Sequence, residues 1–329
     1  MLPLRKAHKG LLREDLLVLR HIFDLNHGMQ ELDQDRLNTL RLGYHLSGSK
    51  IKDLLLISLD VENPPNTAQL KSNSEHQIGL CILDTRDLLF KILHPEERGS
   101  NNLLRTYQFG VGSAKYIKNA SRSFCFGESQ HTTLKDLNTK LKELAPADRD
   151  IVLVLHGGVG DVNFLKAAQI DLNYLYVIDT QRVAQHPLDL DHRCTMEEML
   201  TQLDCPFGDR VLHTAGNDAN FALRALLLLA RKDAAAANLP FSSEIESLLS
   251  IFAKIALSQV PLNDLQIKAE DRQQIEQNRK ESRARKQRNM RAALRTRNAK
   301  DGEKEAGEKK SGEKKDGETK AKENIAISK

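Results

Sequence analysis

Lys52-Asp-Leu-Leu-Leu-Ile-Ser-Leu-Asp60-Val61-Glu62 is a short apolar run that ends on two acids and is followed at once by Pro64-Pro65. A continuous apolar stretch of this length predicts a strand buried on both faces. Gln77-Ile-Gly-Leu-Cys-Ile-Leu-Asp84 comes after a polar connection of loop length, and the pair predicts neighbouring antiparallel strands. Ile151-Val-Leu-Val-Leu155 is the clearest strand in the chain; a glycine-rich turn follows, then Val162, Phe164, Leu165 and Ala168 on one helical face. Leu175-Tyr-Val-Ile178 predicts another strand, ending at Asp179-Thr180. Residues 196–203 and 218–232 predict helices, the second buried because of its alanine and leucine content. Two strands followed by strand, helix, strand and helix make an α/β domain, a mixed sheet flanked by helices.

Residues 101–127 hold Tyr107, Phe109, Tyr116, Phe124 and Phe126 among basic residues, which predicts irregular strand and loop structure beside the sheet. Residues 129–144 turn helical in their later part. Five segments result. Residues 1–49 are an N-terminal helical extension, with Leu16, Leu17, Leu19, Ile22 and Phe23 at helical spacing. Residues 50–235 are the α/β domain, and 236–265 an accessory helix carrying Leu248, Phe252 and Ile255. Residues 266–299 are a basic helix, polar all round. Residues 300–329 repeat units such as Gly307-Glu-Lys-Lys310 and Gly312-Glu-Lys-Lys315, a low-complexity composition that predicts disorder.

The formal charge of +4 hides an uneven distribution. From Gln266 onward there are 20 Lys+Arg against 12 Asp+Glu, whereas the rest of the chain has 29 against 33. A mildly acidic body with a basic tail assigns long-range attraction of a polyanion to the tail. Cys81, Cys125, Cys194 and Cys205 have no metal-site or redox spacing, which predicts free thiols in a reducing compartment. No apolar run reaches the roughly 18 residues that cross a bilayer, and nothing at the N-terminus reads as a signal peptide. A cytoplasmic or nuclear location without membrane association is the expectation.

Asp60 and Glu62, two positions apart on one strand, project from the same sheet face, where paired acids invite a hard cation. A solvated strand end is the plain alternative for that pair alone. Asp161 follows the strongest strand by one turn and opens a helix, at the sheet edge where α/β folds place their ligands. A helix N-terminus also favours an acid for electrostatic reasons alone. His213-Thr-Ala-Gly-Asn-Asp218-Ala219 then places a histidine just ahead of a buried helix and an acid on its first turn.

In chain order, Leu59-Asp60-Val61-Glu62, His156 with Asp161 and Leu165, and His213 with Asp218-Ala219 resemble the motifs of the DEDDh 3′-to-5′ exonucleases of the ribonuclease H-like superfamily. Ile78-Gly-Leu-Cys-Ile-Leu-Asp-Thr-Arg86, Phe124-Cys-Phe-Gly127, Ile178-Asp-Thr180 and the His213 to Ala219 segment look closest to the fungal Gfd-type branch. The likeness covers roughly residues 50–232. It implies a ribonuclease H-like fold and hydrolysis of phosphodiester bonds in single-stranded nucleic acid, RNA ahead of DNA. It also implies two Mg²⁺ or Mn²⁺ ions held by Asp60, Glu62, Asp161 and Asp218, a donor set that suits hard cations. His213 would be the general base, histidine being the side chain most often used to take a proton from an attacking water.

Gly157-Gly158-Val159-Gly160 stands where many such exonucleases have a polar residue ahead of the acid, which implies altered substrate contact. It is not a dinucleotide loop, because the third glycine is missing and an acid occupies the pyrophosphate position; nor is it a P-loop, because no Gly-Lys-Ser/Thr follows. Asp84, Asp179 and His156 are expected to be structural, and His186 and His192 lack convincing ligand spacing. Arg279, Lys280, Arg283, Arg285, Lys286, Arg288 and Arg291 form the candidate nucleic-acid-binding segment, with a solvated helix or a nuclear localisation signal as the alternatives. The rival reading of the whole chain is a catalytically silent nuclease fold that serves as an adaptor for RNA or for RNA-processing and mRNA-export proteins.

Overall fold

The computed structural model describes residues 9–25, 37, 40, 42–63, 74–96, 103–237 and 240–323, giving backbone alone at 299 and from 301 onward. Pro64-Pro65, much of the expected N-terminal extension and the last residues of the tail lie outside that range. The strands are β1 (Leu55–Glu62), β2 (His76–Asp84), β3 (Arg105–Val111), β4 (Ser129–His131), β5 (Ile151–Leu155) and β6 (Tyr174–Asp179). They form one sheet in the order β4-β3-β2-β1-β5-β6. β2 runs antiparallel to β1 and β3, while β5 is parallel to β1 and β6, and β4 is parallel to β3. The helices are α1 (Glu14–Ile22), α2 (Thr85–Leu93), α3 (Ala114–Ser121), α4 (Leu134–Leu144), α5 (Val159–Ala167), α6 (Thr180–Ala184), α7 (Met196–Gln202), α8 (Ala215–Ala237), α9 (Ser243–Ala256) and α10 (Asp264–Glu323). This is the expected α/β architecture, a mixed sheet with helices on both faces.

The two-residue period of the strands divides the core in two. Leu55, Ile57, Leu59 and Val61 of β1 pack with Leu137 and Leu141 of α4 and Phe164 and Leu165 of α5. The other parity, Leu54 and Leu56, packs with Cys81, Leu83, Val152 and Val154 beneath α8. That helix is apolar nearly all round, the pattern of a helix enclosed by protein. Its one buried cation is satisfied: Arg224 donates to Asn220 Oδ1, to the carbonyls of Ala256 and Ser258, and to Ser258 Oγ. Burying a guanidinium without such partners would cost far more than the helix gains.

Residues 1–265 form one compact unit, so neither the N-terminal helix nor the accessory helix stands apart from the sheet. Leu16, Val18, Leu19 and Ile22 of α1 are fully buried, at about 1.5–3 kcal/mol each. Arg20 adds a two-pronged buried ion pair to Asp233 of α8, at 2.8 and 2.7 Å. Of the stretch 101–127, the described residues 103–127 are more regular than their composition suggested. Phe109 and Val111 alternate into the core as β3, and Ser113 then caps α3 by accepting from the Tyr116 N–H. Asp84 and Asp179 are structural, as expected; each caps the helix after its strand, and Asp84 also pairs with Arg149.

The second unit, residues 266–329, is described by α10, whose backbone helix runs to Glu323. The helix thus continues through residues 300–323, where low complexity predicted disorder. That stretch repeats Glu and Lys with interspersed alanines, all good helix formers, between its glycines. Among the described residues, no helix is long and apolar enough to cross a membrane, and all four cysteines are free and buried.

Candidate metal centre

Strand pairing settles which face the first two acids occupy. Asp60 lies opposite Gly79 and Glu62 opposite Gln77. A Cβ on Gly79 would sit 1.9 Å from the Ala215 carbonyl oxygen at the start of α8. Asp60 and Glu62 therefore share the α8 face, at the edge where α8 begins. Gly79 is what lets the helix N-terminus come down onto β2 and carry Asp218 to the strand end.

There the structure brings together Asp60, Glu62 and Asp218, each offering a carboxylate oxygen, all within 4.8 Å of one another. Asp161, on the first turn of α5, is tied to the same strand end because its Oδ1 accepts from the Val61 N–H at 3.0 Å. Its charge also acts on Asp60. His213 lies just ahead of α8, with Nδ1 3.8 Å from Glu62 Oε1 and a side chain 94% exposed. Its backbone has a φ of 61°, a left-handed conformation that costs an L-residue roughly 1–2 kcal/mol. All five residues singled out by sequence thus meet at one end of the sheet.

The electrostatics are those of crowded, buried acids. Burial, then the charges of Asp218, Asp161 and Glu62, push the Asp60 carboxyl well above the usual range. Asp218 is raised to about 8 by burial and by Glu62, against hydrogen bonds from the Thr214 and His213 N–H groups. Asp161 is raised to about 6, again chiefly by burial, against the Val61 hydrogen bond. Asp60 Oδ2 is buried and accepts no hydrogen bond among the described residues. An orphaned carboxylate oxygen amid three more carboxylates fits a divalent cation, whose charge reverses each of these penalties.

A polar network that sequence reasoning missed holds the start of α8 in place. Asn217 accepts from the Cys125 N–H at 2.9 Å and donates to the carbonyls of Ser123 and Val211 at 2.8 and 2.7 Å. Gln108 of β3 accepts from the Gly216 N–H at 3.1 Å, and Thr214 Oγ1 donates to Ser123 Oγ at 3.0 Å. Asn217 falls inside the quoted His213 motif, so its position was visible although its role was not. His156, expected to be structural, lies 2.9 Å from Thr180 Oγ1 through Nδ1. His192 is exposed beside Asp191 and Glu198. The seven basic residues from Arg279 to Arg291 are all exposed on α10 of the second unit, with Lys280 paired to Glu276 at 2.9 Å.

A family model described as the DNA polymerase III subunit epsilon-like, C-terminal domain matches residues 55–229, more than half of the chain. The chain belongs to the DEDDh exonuclease family. The match runs from the first residue of β1 into α8 and so spans all four carboxylates and His213. The fold of this DEDDh protein is accordingly ribonuclease H-like, and its family chemistry is that of a phosphodiester-cleaving nuclease that uses divalent metal ions. No curated protein matches the chain.

Proposed function

We propose that the chain is a divalent-metal-dependent 3′-to-5′ exonuclease acting on single-stranded nucleic acid, RNA in preference to DNA. The observation that supports this best is the convergence of Glu62, Asp218 and Asp161 on a buried Asp60 oxygen that has no hydrogen-bond partner among the described residues, with His213 at the rim. Asp60, Glu62, Asp161 and Asp218 would hold two ions, Mg²⁺ or Mn²⁺. Bound there, such ions supply Lewis-acid stabilisation of charge on the phosphodiester oxygens. Asp60, central to the cluster, is the residue whose loss disrupts it most. His213 is exposed and carries the one imidazole beside the four acids among the described residues, which suits it to take a proton from the attacking water. The Thr214 N–H and the Val61 N–H fix Asp218 and Asp161 in place, so that the acids need little reorganisation on binding.

The basic stretch of α10, with Arg279, Lys280, Arg283, Arg285, Lys286, Arg288 and Arg291, is proposed as an arm that attracts the nucleic-acid backbone. RNA-processing proteins are proposed partners and a cytoplasmic or nuclear site the proposed location. Within the family, the motifs around Ile78 and Ile178 favour the fungal Gfd-type branch. The test uses 5′-labelled single-stranded RNA and DNA with Mn²⁺ or Mg²⁺, an EDTA control and the Asp60→Ala/Glu62→Ala variant. A metal-dependent ladder shortening from the 3′ end, absent in the variant and faster on RNA, is expected. If wild type and variant alike bind RNA without degrading it, the chain is an adaptor and the proposal fails.

A further inference from the structure

The register across β1, β2 and β3 extends the acidic face sideways. Glu62 pairs with Gln77, and Gln77 with Gly110, so these three share the α8 face in adjacent strands. Two strand spacings, about 10 Å, separate Glu62 from Gly110. A Cβ on Gly110 would meet Ile117 at 3.1 Å, so α3 lies on this same face, directly beside the carboxylates. Asn63, the residue after Glu62, donates from Nδ2 to the Tyr116 hydroxyl of α3 at 3.4 Å.

Helix α3 buries Ile117 and Ala120 and turns Lys115, Lys118 and Asn119 outward, with Arg122 half-buried at its C-cap. Lys115, Lys118 and Arg122 are spaced three and four apart, hence on one stripe about 10 Å long. None of the three cations is ion-paired with another described residue. Between that stripe and the acids sits Gln77, only 7% exposed, whose Oε1 is buried without a hydrogen-bond partner among the described residues. An unsatisfied buried acceptor costs about 1–3 kcal/mol unless something donates to it.

We infer that the stripe Lys115, Lys118 and Arg122 is the track for the phosphodiester backbone of the nucleotides upstream of the cleaved one, and that Gln77 receives a sugar hydroxyl of that strand. This rests on the proposed nuclease reading. The cations follow successive phosphates while the acids hold the terminal linkage, so the track selects a single strand with several nucleotides over a mononucleotide ester. It is distinct from the α10 arm, which belongs to the other unit.

The test compares wild type, Lys115→Ala/Lys118→Ala/Arg122→Ala, Gln77→Leu and an arm control, Arg279→Ala/Arg283→Ala/Lys286→Ala, all as full chains with thermal midpoints checked. Substrates are a single-stranded octaribonucleotide, whose 2′-hydroxyls are the free sugar hydroxyls of an internal nucleotide, and the p-nitrophenyl ester of thymidine 5′-monophosphate; octanucleotide binding is followed by anisotropy against salt in EDTA. For the α3 triple variant, octanucleotide kcat/KM is expected to fall at least tenfold more than that of the ester. The slope of log affinity against log salt is expected to shrink by about two, as for three lost single-strand phosphate contacts. Gln77→Leu should show the same selectivity with little change in salt slope. Equal losses on both substrates, or octanucleotide binding that only the arm control weakens, would overturn the track. If wild type cleaves neither substrate, the nuclease reading fails, while the salt-slope comparison still decides whether the stripe binds a strand.

Discussion

Replacing Asp218 with asparagine should make the metal-free protein more stable while abolishing its response to metal. Asp218 is only 8% exposed, and its carboxyl is raised from 3.8 to about 8 by burial and by Glu62. At about 1.4 kcal/mol per tenfold change, ionising it in the folded state costs a ceiling of about 6 kcal/mol. Two effects reduce that figure. The penalty is shared among four interacting carboxylates, and the amide keeps only one accepting oxygen for the Thr214 and His213 N–H groups, a loss of about 1 kcal/mol. A net gain of about 2 kcal/mol for Asp218→Asn is expected at pH 8.5, or roughly 4–8 °C in Tm. The sign follows from linkage. The folded pKa lies above the unfolded one, so wild-type stability from this group is complete below about pH 4 and is lost as pH rises through about 8. The advantage of Asp218→Asn should therefore be largest at pH 8.5 and vanish near pH 4, where wild type is protonated in both states. Calorimetry or urea melts in EDTA across that range measure it. An Asp218→Asn protein no more stable than wild type at pH 8.5 in EDTA would refute the claim that burial and crowding penalise the Asp218 carboxylate.

Three further outcomes follow from the same geometry. Adding Mn²⁺ at a hundredfold excess over its dissociation constant should stabilise wild type by about 2.7 kcal/mol, and Asp60→Asn by far less; equal shifts would place binding elsewhere. Gly79→Ala should cost at least 1–3 kcal/mol and weaken Mn²⁺ affinity, because its Cβ would press on the Ala215 carbonyl and displace the helix that carries Asp218. Isothermal titration showing unchanged Mn²⁺ binding would contradict that. Arg20→Leu takes the two-pronged guanidinium away from the buried Asp233 and should cost about 3–5 kcal/mol in urea melts, whereas a chain begun at residue 50 should fail to accumulate as soluble protein.

What the sequence made legible was local. The apolar run ending in Asp60 and Glu62 specified a buried strand, and its two-residue period already put both acids on one face. The glycine turn before Asp161 and the small residues before Asp218 specified loop-to-helix junctions. Convergence was not legible, because it depends on contacts such as that of Val61 with Asp161, a hundred residues away, and on Gly79 admitting the Ala215 backbone. In the sequence Gly79 is merely one glycine inside a strand. The N-terminal helix was visible as a helix, but its partners Asp233 and Phe252 lie more than 200 residues away, so it read as an extension. Residues 101–127 misled for another reason: their aromatics alternate only over β3, and a switch to helical spacing after Ser113 blurs both periods.

The polar network around Asn217 explains how so unfavourable a cluster persists. Four carboxylates at one strand end repel one another, and the cheapest relief would be for the start of α8 to lift away and let water in. That movement would break the three hydrogen bonds of Asn217, the Gly216 to Gln108 bond and the Thr214 to Ser123 bond together. Each is buried or nearly so, and each is worth about 0.5–1.5 kcal/mol when made and more when left unsatisfied. Their sum is comparable with the repulsion they oppose, so the network holds the four acids in register for a cation. The network is consequently part of the site, and Thr214 joins the two by donating its N–H to Asp218 at 2.9 Å. Its weakest consequence is also its most testable: loosening Asn217 should relieve the repulsion and weaken metal affinity at once, whereas a purely structural residue would lower stability alone.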